Sequence, residues 1–108
     1  MNQLNSIRAE FYKALAHPTR IKILELLKNG EKCVCNIIEE LGLEQSNVSQ
    51  HLNVLKNQGI VASRREGTFV MYYVLNPRIY DLIDITDKIL EMQLETVQKE
   101  LRERRNKI

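Results

Sequence analysis

The chain has 108 residues, 44% of them hydrophobic and 28% charged, which suits one domain with a modest core. No apolar run is long enough to cross a bilayer, and the opening MNQLNSIRAEFYKAL lacks the basic-then-apolar order of a secretory signal. The formal charge of +2 is not a polybasic tail: residues 1–20 and 45–75 each carry +2, 21–44 carry −2 and 76–108 balance.

Leu4, Ile7, Phe11 and Leu15 recur at spacings of three and four, which predicts a first amphipathic helix. HPTR interrupts it, with Pro18 suited to the first turn of a new helix. In that second helix Ile21, Leu24 and Leu27 share a face, Ile23 widens it, and Asn29-Gly30 is a stop signal. A third helix is expected from about Cys33, with Val34, Ile37, Ile38 and Leu41 as its apolar stripe and Gly42 as its end. The fourth runs from about Ser46, a suitable N-cap, to Asn57. It turns Val48, Leu52 and Leu55 inward and Gln45, Asn47, Ser49, Gln50, Asn53 and Lys56 outward. IVASRREGTFVMYYVLN then has the β-branched and aromatic residues of two antiparallel strands turning at Glu66-Gly67. Tyr72 and Tyr73 should point to opposite faces, one core and one exposed. From Pro77 onward Ile79, Ile83, Leu90, Leu94, Val97 and Leu101 lie close to a 3.5-residue period, the pattern of a long last helix.

Two short helices joined by a Gly-containing turn and followed by a hairpin make a winged helix-turn-helix, mainly α with a small β-hairpin wing. The outer face of the fourth helix is amide-rich. Gln and Asn can pair bidentately with adenine edges in the major groove, and Ser can donate to phosphates or bases. Lys56, Arg64 and Arg65 add cations at the helix end and along the hairpin, and His51 has a DNA phosphate or a neighbouring side chain as its expected partner. The candidate DNA-binding set is therefore Gln45, Ser46, Asn47, Ser49, Gln50, His51, Asn53, Lys56, Arg64 and Arg65. A helix face so polar argues against a purely protein-binding winged helix. No nucleophile, base and orienter can be assembled for an enzyme. The stripe of Leu94, Val97 and Leu101 exceeds what so small a chain can cover, so a homodimer is expected, with Leu4, Ile7 and Phe11 as the complementary surface.

ALAHPTRIKILELL, CVCNIIEELGLEQSNVSQHLNVLKNQGIV and RREGTFVMYYVLN, in that order, closely resemble the ArsR/SmtB family of metal-sensing winged-helix repressors over residues 10–76. The lack of a secretory signal or a membrane-length apolar run places the protein, by expectation, in the cytoplasm. The resemblance implies a homodimer that occupies double-stranded operator DNA and releases it when an inducer binds. It implies a recognition helix over 45–56 within a helix-turn-helix of 33–57, a wing over 60–75, and dimerisation helices over 1–16 and 77–108 of a single 1–108 domain. No membrane, further protein partner or permanent cofactor is expected.

Cys33 and Cys35 are the only cysteines, and a cytoplasmic setting should keep them reduced. On an ideal helix residues two apart are separated by about 200°, so the pair is expected on opposite flanks of the stripe, unable to share one ion unless the first turn unwinds. By the same geometry a direct disulfide is expected to be strained and hard to form. By the resemblance, CVC at this position matches the thiolate pair of relatives that sense arsenite, antimonite or a soft divalent metal. The third cysteine that such relatives can carry falls on Ile38, and the tail-helix site of Asp and His lacks its histidines after Asp81, Asp84 and Asp87. A metal site, a thiol redox or reactive-sulfur switch, and two small apolar residues with no signalling role all remain open for the pair. His17 is expected to be a helix-junction residue, and the basic run Arg102 to Lys107 a solvated end.

Overall fold

The structure, a computed structural model, describes residues 3–107. It runs α1 (Gln3–Leu15), α2 (Pro18–Leu26), β1 (Lys32–Cys33), α3 (Val34–Leu41), α4 (Gln45–Asn57), β2 (Val61–Glu66), β3 (Phe69–Val74) and α5 (Arg78–Asn106). The chain divides into two compact units, residues 1–76 and 77–108. The predicted winged helix-turn-helix fills the first, and α5 forms the second.

In the first unit Ala14 of α1, Ile23, Leu24 and Leu27 of the α2 region, Ile37 of α3, and Val48, Leu52 and Leu55 of α4 are buried with Ile60 and Val61. The α2 face is thus centred on Ile23 and Leu24, with Ile21 half-buried. No polar or charged side chain is buried among the described residues, so this core rests on apolar packing alone. Pro18 opens α2 as expected, capped by the His17 side chain. Gly42 ends α3 in the left-handed conformation (φ 65°), a position that suits glycine because it has no Cβ to clash, and its N–H bonds the Ile38 carbonyl.

Several local features differ from the sequence expectation. Cys33 lies outside α3: its backbone is extended (φ −62°, ψ 142°), and it serves as the N-cap. With Lys32 it forms a third, unexpected strand, and the sheet order is β1-β3-β2, all antiparallel. Two residues are too short for any periodic signal, so only the partner strand reveals β1. α4 begins one residue early, with Glu44 at the N-cap and no side-chain cap bond, so Ser46 lies inside the first turn. The turn of the wing is Gly67-Thr68, with Glu66 still paired to Phe69. Gly67 takes φ 63°, as the first central residue of a type II′ hairpin does. Tyr72 and Tyr73 are both half-buried, not divided between core and solvent.

The second unit is one helix of 29 residues. Ile85, Ile89, Leu90, Met92, Leu94, Val97 and Leu101 are all exposed along it. Within the first unit Leu4 and Ile7 of α1 are exposed too. Among the described residues no helix is long and apolar enough to cross a membrane.

Candidate nucleic-acid interface and thiol corner

α4 anchors itself by the fully buried Val48, Leu52 and Leu55 and turns Gln45, Ser46, Asn47, Gln50 and Asn53 to solvent. Positions 46, 47, 50 and 53 recur at helical spacing, so their amide and hydroxyl groups line one strip, the geometry by which a helix presents base-reading groups. Ser49 is half-buried at the edge of that strip.

Of the other predicted DNA contacts, Lys56, Arg64 and His51 are already engaged within the protein. Lys56 donates from Nζ to Ser63 Oγ of β2 at 2.8 Å, tying the end of α4 to the wing. Arg64 forms a two-pronged ion pair with Glu31, which lies just before β1, and its Nη2 also donates to Glu66 at 3.0 Å. That contact holds the Glu31 carboxyl below the usual carboxylate range and raises Arg64 further above its own. Arg65 is exposed on the opposite side of β2. The wing cations therefore divide: Arg64 braces, and Arg65 faces solvent.

His51 turns toward the protein body. Its Nδ1 accepts from the Arg20 guanidinium at 3.1 Å, and its ring packs on that of His17 with centroids 4.3 Å apart. Burial, then the neighbouring His17 and Arg20, push the His51 imidazole below its ordinary value of 6.5. Sequence reasoning treated His17 and His51 separately and did not single out Arg20 or Glu31. Separations of 31 and 33 residues leave no local signal that would pair them.

Cys33 and Cys35 are joined by a disulfide, with Cα atoms 5.2 Å apart. This overturns the expectation that they lie on opposite flanks of one helix. The ideal-helix angle does not apply, because Cys33 is extended and only Cys35 is helical. The Cys33 Sγ caps the helix by accepting from the Cys35 N–H at 3.1 Å. Cys33 is 7% exposed, whereas Cys35 faces solvent. The strand partner of Cys33 is Met71, and paired antiparallel residues project to one face, so a thioether shares that side of the sheet. Among the described residues no three His, Cys, Asp or Glu side chains gather to hold a metal, Asp81, Asp84 and Asp87 included.

A helix-turn-helix with an amide-rich second helix and a hairpin wing defines a DNA-binding regulator. Residues 17–63 match the family described as bacterial regulatory proteins of the arsR family. An HTH-type transcriptional regulator of Methanocaldococcus jannaschii is 48% identical over 82 residues, covering 75% of this chain and 92% of the relative. A probable mercury resistance operon repressor of Streptomyces lividans is 41% identical over 75 residues, covering 69% of this chain and 60% of that one. The crystal structure of Rv0081 from Mycobacterium tuberculosis superposes with a TM-score of 0.80 at 41% identity, covering 89% of this chain and 97% of its own. A homodimeric winged helix-turn-helix DNA-binding domain of Mycobacterium bovis gives 0.75 at 33%, covering 86% of each. The chain belongs to the ArsR family of transcriptional regulators, which are DNA-binding proteins and not enzymes.

Proposed function

We propose that this protein is a homodimeric repressor that holds operator DNA with the outer strip of α4 and the wing, and releases it when a thiophilic ion binds the thiolates of Cys33 and Cys35. The observation that carries this reading is the meeting of both sulfurs at the N-cap of α3. They meet there without unwinding a helix that packs against α4. Reduced, the pair offers two soft thiolates side by side, a donor set suited to a soft ion of low coordination number. Hg(II) is the first candidate, in keeping with the mercury resistance repressor among the relatives. Arsenite or antimonite would need a third sulfur from outside this chain's cysteines.

The bonded sulfurs favour a second reading, a thiol redox or reactive-sulfur switch at the same corner. The apolar residues exposed on α1 and α5 support the homodimer, since surfaces of this kind on a chain of this size are normally covered by a partner.

The test is fluorescence anisotropy of the reduced protein on DNA from upstream of its own gene, titrated with Hg(II), Cd(II) and arsenite, and separately with a mild oxidant. Release by an ion supports the first reading, and release by oxidant alone moves the protein to the second. Cys33→Ser and Cys35→Ser should keep DNA binding and lose the response, serine being itself a good N-cap at position 33. A serine variant that stays fully inducible removes the thiols from the mechanism.

A further inference from the structure

The cluster behind α4 is built around one cation. Arg20 donates from Nε to the Ala14 carbonyl at 2.6 Å and from Nη2 to the Lys13 carbonyl at 3.1 Å, closing the C-terminal end of α1. Its remaining arm, Nη1, reaches His51 Nδ1 at 3.1 Å. One guanidinium thus connects α1, α2 and α4. Next to it His17 Nδ1 accepts from the Thr19 N–H at 3.0 Å, capping α2, and the His17 ring lies against that of His51.

Both contacts dictate the protonation state. Arginine only donates, so His51 Nδ1 must present a lone pair, and a backbone N–H makes the same demand of His17 Nδ1. The His51 imidazole is then neutral with its proton on Nε2. A proton added to His51 Nδ1 would set donor against donor and cation against cation.

We propose that Arg20, His17 and His51 form a proton-sensitive latch that positions α4 for DNA while the His51 imidazole is neutral and frees it when that ring takes up a proton. The three are positioning residues, and the inference rests on the reading above that α4 enters the operator.

Among the described residues no carboxylate is placed to stabilise the charged form of His51. The groups acting on it are His17 and Arg20. On α1 Lys13 and Glu10 pair with each other, as Lys22 and Glu25 do on α2. Glu40 of α3 pairs with Lys32 of β1, and on the β2 side Lys56 is bonded to Ser63 while Arg64 is paired with Glu31 and Glu66. The lowered His51 value has a definite sign in linkage. The latched form is fully present above the ordinary 6.5 and is lost as pH falls from there through the lower folded-state value.

The direction separates this latch from the simpler possibility that His51 contacts a phosphate. A phosphate contact gains from protonation, so acid would tighten DNA binding. The latch requires the reverse.

The experiment has two arms. In the first, operator affinity of the reduced dimer is measured from about pH 7.5 to about pH 5.5 at constant salt, and should weaken about tenfold. The double variant His17→Asn/His51→Gln supplies neutral acceptors at both positions and should give a flat profile at whatever affinity it has. Wild-type affinity that holds or rises toward acid overturns the proposal, as does a double variant with the wild-type decline. In the second arm, imidazole 15N NMR of the DNA-free protein should show the Nε2–H form of His51 at neutral pH, with α4 amide shifts following its titration. Titration without any response in α4 overturns the latch. If no DNA fragment binds at any pH, the operator reading fails by itself, and the NMR arm decides the latch alone.

Discussion

α4 and α5 look alike as sequence patterns, since both are amphipathic helices with a repeated apolar stripe. In the structure they are opposites. The stripe of α4 is fully buried and its polar face is left clear, whereas α5 carries exposed Leu94, Val97 and Leu101 (61%, 50% and 52%). A stripe covered within its own unit fixes a helix as a rigid platform. A stripe left open marks a surface awaiting a partner. The same periodicity thus gives a covered stripe with a clear polar face in one helix and an open apolar stripe in the other.

The sharpest way to break that comparison is to truncate each stripe. Leu52→Ala, at a fully buried position, should lower unfolding stability by about 3 kcal/mol in urea denaturation. Val97→Glu on α5 should instead leave the fold of the first unit intact and weaken dimerisation about a hundredfold by analytical ultracentrifugation. A Val97→Glu chain that unfolds, or that remains fully dimeric, would refute the assignment of α5 to assembly. Gln50→Ala, on the clear face of α4, should reduce operator affinity by about 1.5 kcal/mol with no change in melting temperature. Its effect should be larger on the cognate sequence than on random DNA, which anisotropy on the two fragments checks.

The smallest effect concerns the wing. Glu31 is held below its ordinary 4.5 by Arg64, so its contribution to stability is present above that value and is lost as pH falls through the lower folded-state value. Glu31→Gln should lower the melt at neutral pH slightly, by about as much as the wild type loses through this group between about pH 5 and pH 3, and should itself lack this part of the acid dependence. A neutral-pH loss as large as that of Leu52→Ala would mean that the brace, and not the apolar core, holds the wing.

The helix order, the wing, and the inner and outer faces of α4 were legible because each follows from local periodicity and from glycine or proline stops. Val48, Leu52 and Leu55 needed no distant partner to be assigned inward. The thiol corner was misread for a physical reason. An ideal-helix angle was applied to Cys33, which pairs with Met71 across a two-residue strand that leaves no periodic trace. His51, Lys56 and Arg64 are polar residues beside the amide-rich face of α4, yet all three side chains are bonded within the protein.

The sequence by itself determined which residues are apolar at helical spacing, where helices stop, and which cluster of amides and soft sulfurs the protein has to work with. Tertiary structure alone decided that Cys33 caps α3 and meets Cys35, that Glu31 takes up Arg64, and that Arg20 joins His51. These contacts depend on where separate elements come to rest against one another. Periodicity reports only on neighbours along the chain, whereas an ion pair or a stacked ring depends on distance in space.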